Sequence, residues 1–251
     1  MTSFEEEYKK QLPTIKRLSF IALLGKRVIV KGEENFIRKG PNILVGNHIG
    51  SFKDIATLAT IAPRPIFFTA NKMIFTKDEF NFLIRKHAQR HLKEFGLFLD
   101  LILTPIKSIF VNYISTTIGK VGMIPVDMYG GKSLAIEQCQ NHLKEGKLIV
   151  TLQGRGRVEK KGPNPYLREF KRGASIICYN LYQEGISVPV TPLAIFGTHF
   201  AFLIPTKIRV NVGEPIYIKD YLGNNFSETI ERFRKAQQER VRSLLREIIH
   251  S

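Results

Sequence analysis

The stretch Ile43-Leu44-Val45-Gly46-Asn47-His48 decides how this chain is interpreted, because an apolar run ends there at a polar turn. Asp54 follows six residues after the histidine, where the chain should enter a helix. In α/β proteins, binding and catalytic sites are built where strands end at one edge of a sheet. The stretch therefore predicts a general base and a carboxylate side by side at such an edge. The pair alone is weak evidence, since Asp54 is equally well placed as a helix N-cap.

Strands and helices alternate on both sides of this stretch. Apolar runs predict strands at 27–31, 43–45, 65–70, 122–126, 148–152, 188–196 and 208–212. Helical spacing predicts helices at 5–25, 54–61, 78–95, 133–145, 173–182 and 227–249. This order is typical of an α/β protein with a largely parallel central sheet flanked by helices. A length of 251 residues with 43% hydrophobic composition favours one domain, 27–251, preceded by an N-terminal amphipathic helix within 1–26.

The net charge of +16 predicts an affinity for polyanions, which include anionic lipid head groups, nucleic acids and phosphorylated substrates. The apolar positions of the first helix are Leu12, Ile15, Leu18, Ile21 and Ala22, with lysines and arginines between them. Such a helix either docks on the core or lies on a membrane surface, and the pattern leaves both open. A nucleic-acid-binding module is not expected, because no zinc spacing or RNA-binding motif accompanies the charge.

Several further features bear on membrane topology and compartment. The uncharged run 185–206 is long enough to span a bilayer, but its prolines and glycines favour buried strand and turn. The apolar segment 98–111, near Pro105, fits either a buried helix pair or a segment that dips into lipid, and the buried interpretation is the commoner one. The glutamate-rich start is no secretory signal. Cys139 and Cys178 match no metal spacing and suggest a reducing compartment.

A second constellation, Gln153-Gly154-Arg155-Gly156-Arg157, directly follows a predicted strand. Glycines let a backbone approach a ligand closely, and guanidinium groups fork onto phosphate oxygens. We expect phosphate binding here, with a solvated basic loop as the alternative. The positive charge continues at Lys160, Lys161, Arg168, Lys171 and Arg172.

Three other features are expected to have structural roles or fit more than one role. The segment 188–198 has no ionisable side chain, so we expect it to form part of the core and a wall of the site. His199 is expected to be a satisfied structural histidine. Asp127 fits either a cap of the helix near Ser133 or a side chain that points into the site.

In their order, these segments resemble the glycerophospholipid acyltransferases, the family that includes 1-acylglycerol-3-phosphate acyltransferases. The blocks that carry the resemblance are Val30–Asn35, Gly40–His48, Gly122–Asp127, Leu152–Arg157, Phe170–Ala174, Val188–Ile195 and Val212–Ile216. No single block is specific, whereas their order and spacing together are fairly specific.

The chain departs from the family pattern at several positions. Five residues separate His48 from Asp54, where the family usually has four, and Gly50-Ser51 could absorb the extra one. Alternatively, Lys53 occupies the family's aspartate position and the dyad is broken. Met128 stands in place of an arginine, and Gln153 in place of a glutamate.

The resemblance implies a peripheral O-acyltransferase of phospholipid biosynthesis on the cytoplasmic side of the membrane. Acyl-CoA or acyl carrier protein would donate the acyl group, and a lysophospholipid or glycerol-phosphate-type hydroxyl would accept it. His48 would be the general base and Asp54 its orienting carboxylate. Substrate would be held by Asn47, Gln153, Gly154, Arg155 and Arg157. Anionic membrane lipids are the expected partners, and no metal or bound cofactor is implied. A non-catalytic lipid-binding or regulatory protein on the same scaffold is the alternative.

Overall fold

The computed structural model describes residues 4–83, 85, 108, 111–112, 115–116, 122–127, 131, 133–159, 164–201 and 204–250. The strands are β1 (Lys26–Lys31), β2 (Asn42–His48), β3 (Ile66–Asn71), β4 (Met123–Val126), β5 (Leu148–Gly154), β6 (Val190–Phe196) and β7 (Thr206–Val212). The α-helices are α1 (Phe4–Ala22), α2 (Phe52–Ile61), α3 (Ser133–Lys144), α4 (Gly173–Gln183) and α5 (Phe226–Ile249). Short 3-10 helices cover Glu33–Asn35, Lys72–Phe75 and Ile218–Tyr221.

The strands form a seven-stranded sheet in the order β1-β7-β6-β2-β5-β3-β4. The pairs β1 with β7, β2 with β5, β2 with β6, and β3 with β4 are parallel, and β6 with β7 is antiparallel. The predicted α/β architecture with a largely parallel sheet is confirmed. β2 lies between β5 and β6, so the carboxyl ends of these three strands meet at one edge of the sheet.

The chain separates into two compact units. One comprises Met1–Lys10 with Phe68–Ala135, and the other comprises Gln11–Phe67 with Ile136–Ser251. The second unit holds β1, β2, β5, β6 and β7, and the first holds the pair formed by β4 and most of β3. The predicted functional boundary between 26 and 27 stays a prediction.

The core of the second unit lies around β2, whose residues from Asn42 to Asn47 are all buried. Buried parallel strands need apolar side chains on both faces, and Ile43, Leu44 and Val45 supply them. The amphipathic helix α5 packs against β6 and α4. Its N-cap is Asn225, whose side chain accepts a hydrogen bond from the Glu228 backbone N–H at 2.9 Å.

Two boundaries near the candidate site differ from their predictions. The polar turn expected at Gly46–His48 is instead the end of β2, because the flanking strands β5 and β6 pair with this segment. Helix α2 begins at Phe52, two residues before Asp54. Asp54 therefore lies inside the first helical turn, and Ser51 occupies the N-cap position instead.

The remaining helix predictions have mixed outcomes. The N-terminal helix is present as α1, and the run 185–206 contains β6 instead of a span. Among the described residues, no helix has the length and apolar character needed to cross a membrane. Of the predicted helix 78–95, residues 78–83 and 85 are helical and the rest lie outside the described residues. Most of the segment 98–111 also lies outside them.

Candidate active site

His48 and Asp54 form a hydrogen-bonded pair at the carboxyl edge of the sheet. His48 is the last residue of β2, and its Nδ1 lies 2.8 Å from Asp54 Oδ2. The imidazole is 22% exposed, whereas the carboxylate is fully buried. The spacing that sequence alone left ambiguous therefore brings the two side chains into direct contact.

The surroundings of Asp54 define which ring nitrogen of His48 carries the proton. Asp54 Oδ2 also accepts backbone hydrogen bonds from Ile49 N at 2.9 Å and Gly50 N at 2.8 Å. A carboxylate oxygen has no proton to donate, so it accepts from all three partners and His48 Nδ1–H is the donor. Nε2 is then the acceptor nitrogen of the neutral ring, which is the arrangement a general base requires.

The extra residue between His48 and Asp54 is absorbed by a turn at Gly50 and Ser51. Ser51 has φ 54° and ψ −127°, and among the described residues it is the non-glycine residue with a positive φ. Strained backbone of this kind persists where the surrounding structure enforces it. Lys53 does not replace Asp54 in the pair, because its Nζ donates to the Phe200 carbonyl. The broken-dyad interpretation is therefore wrong in its geometry.

Two glycines of the 153–157 segment pack directly against His48. Gly154 has φ +147°, and a Cβ built there would lie 2.5 Å from the His48 carbonyl oxygen. Gly156 has φ +69°, and its Cβ would lie 3.1 Å from His48 Nε2. The sequence predicted that these glycines permit close approach to a ligand. In the structure, the group they approach is the histidine itself.

Asn47 and Gln153 hold the backbone around the pair. Asn47 is fully buried, and its amide donates to the carbonyls of Ile195 at 2.9 Å and Tyr166 at 3.2 Å, while its Oδ1 accepts from Ile195 N at 2.8 Å. Its side chain thus braces the backbone beside the pair, and the predicted substrate contact of Asn47 stays a prediction. Gln153 Oε1 accepts from Lys171 N at 2.9 Å, and its amide donates to Thr151. This residue ties the basic loop to β5.

The basic loop after β5 places the two arginines differently. Arg155 is exposed and Arg157 is partly exposed, and no ion pair joins either to another described residue. Arg168, in contrast, lies 3.7 Å from Glu159, and Arg172 lies 3.6 Å from Glu231. Arg155 and Arg157 are therefore two cations that, among the described residues, have no ion pair and are open to an anionic ligand. Lys160 and Lys161 lie outside the described residues.

His199 is not the satisfied structural histidine that the sequence suggested. Its Nδ1 is buried with no hydrogen-bond partner among the described residues. The ring lies in an aromatic cluster with Tyr166, Phe196 and Phe200, at centroid distances of 5.5, 5.1 and 4.2 Å respectively. Burial lowers its pKa, and the positive charge of Lys53 lowers it further, while Asp54 opposes the shift. Phe196, His199 and Phe200 are close together along the chain, and only the tertiary structure brings Tyr166 to them.

The block Gly122–Asp127, which contributes to the family resemblance, ends at Asp127 in the first unit. Asp127 forms an ion pair with Lys72 within the first unit, a partner that the sequence did not suggest. Neither a helix cap nor an active-site role is shown for it. Met128 and Lys132 lie outside the described residues.

Comparisons with known proteins bear on this arrangement. Residues 27–93, which contain β1, β2, α2 and β3, match the Acyltransferase family. The crystal structure of PlsC, the 1-acyl-sn-glycerophosphate (LPA) acyltransferase from Thermotoga maritima, is similar to this chain with a TM-score of 0.55 and 19% sequence identity. The match covers 98% of this chain and 84% of PlsC. No curated protein matches the chain.

The family match contains both members of the hydrogen-bonded pair, His48 and Asp54. The structural match extends the same fold over nearly the whole chain, through the sheet and the helices on its faces. Together these findings show that residues 27–93 match the Acyltransferase family and that the chain has a fold similar to that of PlsC.

Proposed function

We propose that this protein transfers a fatty acyl group from a thioester donor to the hydroxyl of a lysophospholipid or glycerol-phosphate-type acceptor. The observation that carries the proposal is the 2.8 Å bond between His48 Nδ1 and Asp54 Oδ2, at the carboxyl edge of the sheet. A buried carboxylate that fixes the tautomer of a partly exposed imidazole is the arrangement used for acyl transfer to hydroxyl groups. Acyl-CoA or acyl carrier protein is the proposed donor.

The proposed chemistry uses His48 twice. Nε2 takes the proton of the acceptor hydroxyl while that oxygen attacks the thioester carbonyl, which becomes a tetrahedral oxyanion. When the intermediate collapses, the C–S bond breaks and the imidazolium returns its proton to the departing thiolate. The products are the ester and the free thiol. Asp54 stabilises the imidazolium between the two steps, and backbone N–H groups near Gly154 are the proposed oxyanion donors.

Arg155 and Arg157 are the proposed ligands of the acceptor's phosphate. Guanidinium groups form bidentate hydrogen bonds to phosphate oxygens, and these two are free of ion pairs within the described part of the chain. They follow the strand that carries Gly154, whose register partner on β2 is His48. A phosphate held there would place the acceptor near the catalytic edge.

We further propose that the protein attaches to the surface of an anionic membrane through α1. The end of this helix exposes Leu18, Phe20 and Ile21, and Leu24 follows it. Lys16 and Arg17 are exposed beside them. An apolar face with flanking cations is what an interfacial helix needs. The cytoplasmic leaflet is the proposed side, as the family resemblance implies.

The test of the catalytic proposal is acyl transfer from labelled acyl-CoA and acyl carrier protein to a panel of lysophospholipids and glycerol 3-phosphate. We expect His48→Ala to lower kcat by about a thousandfold or more, because the general base is lost. Asp54→Ala should lower it by a comparable factor, because the tautomer is no longer defined. Matched controls are His250→Ala and Asp220→Asn, which alter exposed side chains outside the pair.

The outcomes separate the alternatives. Turnover by the wild type that survives His48→Ala would contradict the general-base assignment. A folded wild type that binds lysophospholipid and never turns it over with any donor would favour the non-catalytic lipid-binding scaffold. Loss with His48→Ala but full activity in Asp54→Ala would show that another group orients the histidine.

A further inference from the structure

Lys53 occupies a position that is unfavourable for a lysine in three respects. The residue as a whole is only 8% exposed, and burial lowers the pKa of its ammonium group. It is the second residue of α2, where the positive end of the helix dipole repels a cation. Lys26 lies near enough to lower the pKa of Lys53 further. Such costs are typical of functional sites, where local preferences give way to the requirements of chemistry.

The contacts of Lys53 connect the catalytic turn to the β6–β7 loop, which we define as residues 197–205. Its Nζ donates to the carbonyl of Phe200 in that loop, while the next residue along the helix is Asp54. Thr198 of the same loop packs against Gly50 so closely that a Cβ on Gly50 would lie 2.3 Å from Thr198 Oγ1. The loop and the turn are therefore held together at two points.

Asp54 depends on this support because only one of its oxygens is anchored. Oδ2 accepts from His48 and from two backbone amides, whereas Oδ1 is buried without a hydrogen-bond partner among the described residues. A buried carboxylate needs compensation for its lost hydration. Lys53 precedes Asp54 in the first turn of α2, so a cationic residue adjoins this carboxylate along the chain.

We propose that Lys53 is a positioning residue for the His48–Asp54 pair. It ties the turn that carries Asp54 to the carbonyl of Phe200 and supplies the buried positive charge that keeps the carboxylate in place. The bond from Asp54 to His48 then retains its geometry when substrate binds. Only the turnover part of this inference rests on the proposed acyl transfer.

The chain contains a matched control for this proposal in Lys26. Its Nζ also donates hydrogen bonds to the β6–β7 loop, to the carbonyls of Ala201 at 2.9 Å and Ile204 at 2.5 Å. Lys26 is not adjacent to Asp54 along the chain. If Lys53 only anchored the β6–β7 loop, Lys53→Met and Lys26→Met would have the same effect on the His48–Asp54 hydrogen bond and on turnover.

The experiment compares Lys53→Met, Lys53→Gln and Lys26→Met in the full-length protein. The first readout is the NMR signal of the His48 Nδ1–H proton, which reports the hydrogen bond to Asp54 without any substrate. We expect this signal to be lost or broadened in both Lys53 variants and preserved in Lys26→Met. The second readout is turnover, where we expect kcat to fall about tenfold or more for Lys53→Met and to change less than about twofold for Lys26→Met.

The result that overturns the proposal is a folded Lys53→Met protein with an unchanged His48 signal, or one in which both lysine variants behave alike. If Lys53→Met does not fold, Lys53→Gln decides in the same way, because it keeps a donor for Phe200 and lacks the charge. A wild type without turnover would contradict the proposed function alone. The NMR comparison would still decide the role of Lys53.

Discussion

At the scale of single residues, the close approach of Gly156 to His48 carries a direct prediction. Gly156→Ala would add a Cβ 3.1 Å from His48 Nε2, on a backbone with φ +69°. We expect kcat to fall by about a hundredfold, because the methyl group occupies the place where the acceptor hydroxyl must approach the base. The measurement is steady-state turnover, together with the free energy of unfolding in urea.

Gly185→Ala is the matched control for this change. Gly185 also has a positive φ, +80°, but a Cβ there would meet no atom within 4 Å. Both variants should lose about 1 kcal/mol of stability from backbone strain, and Gly156→Ala should lose more because its Cβ would also lie 3.0 Å from Ser51 Cα. Only Gly156→Ala should lose activity. Equal activity in the two variants would contradict the proposed position of the acceptor hydroxyl.

Because the pKa of His199 is lowered in the folded protein, we predict that the free energy of unfolding depends on pH. Burial first, and then Lys53, lower its pKa in the folded protein below the ordinary value of about 6.5 that the unfolded chain retains. The unfolded state therefore binds more protons in this range, so the free energy of unfolding falls as the pH drops below about 6.5. His142, whose pKa is also lowered by burial, contributes in the same direction.

We expect His199→Phe to reduce this dependence between about pH 7.5 and 5.5, because phenylalanine preserves the aromatic packing and does not titrate. Urea unfolding of both proteins at several pH values measures the effect. His250→Phe, which changes an exposed histidine, is the control. An unchanged slope in His199→Phe would show that another group titrates.

At the scale of elements, α5 supports the basic loop through Arg234. This arginine is 6% exposed and donates to the Phe170 carbonyl at 3.2 Å and to Glu231 Oε2 at 2.9 Å. Gln238 of the same helix accepts from Phe170 N at 2.9 Å. The segment that carries Phe170 also carries Tyr166, whose carbonyl accepts a hydrogen bond from Asn47. Through this segment, α5 helps to hold the backbone next to His48.

We predict that Arg234→Met lowers the free energy of unfolding by about 2–4 kcal/mol, because the variant removes the donor to the Phe170 carbonyl and leaves the Glu231 carboxylate with only the longer Arg172 contact. Arg242→Met is the control. Arg242 forms an ion pair with Glu239 on the same helix, in a more exposed place, and its loss should cost less than about 1 kcal/mol. Equal losses in the two variants would show that Arg234 contributes only as a surface ion pair.

At the scale of the whole molecule, the net charge of +16 and the exposed apolar end of α1 lead to the same prediction. We expect the protein to bind vesicles that contain phosphatidylserine more tightly than neutral phosphatidylcholine vesicles, and to lose that preference as salt is raised. Replacing Phe20 and Ile21, which are 69% and 46% exposed, by serine should weaken binding about tenfold or more.

Vesicle sedimentation measures both effects. The control is the replacement of Leu222 and Ile249 by serine, because these exposed apolar residues lie far along the chain from α1. Binding that is insensitive to lipid charge, salt and both α1 substitutions would contradict attachment through this helix.

Much of the fold was predictable because its signals are local. Apolar runs and helical periodicity located β1, β2, β6, α3 and α5 to within a few residues, since each pattern belongs to one contiguous segment. The ends of β2 and β5 were less predictable. Both strands continue through polar and glycine residues, because neighbouring strands satisfy their backbone groups.

The sequence by itself determined the α/β class, the strongly basic charge and the presence of a histidine and an aspartate at a sheet edge, because these depend on composition and short-range pattern. Only the tertiary structure decided that Asp54, not Lys53, contacts His48, since the backbone of the intervening turn, with its positive φ at Ser51, sets which side chain of α2 faces the histidine. It also decided that Asn47 and Gln153 brace the backbone and that His199 adjoins the site. The contact of Gln153 with Lys171 joins residues 18 positions apart and that of Asn47 with Ile195 joins residues 148 apart, and only folding brings them together.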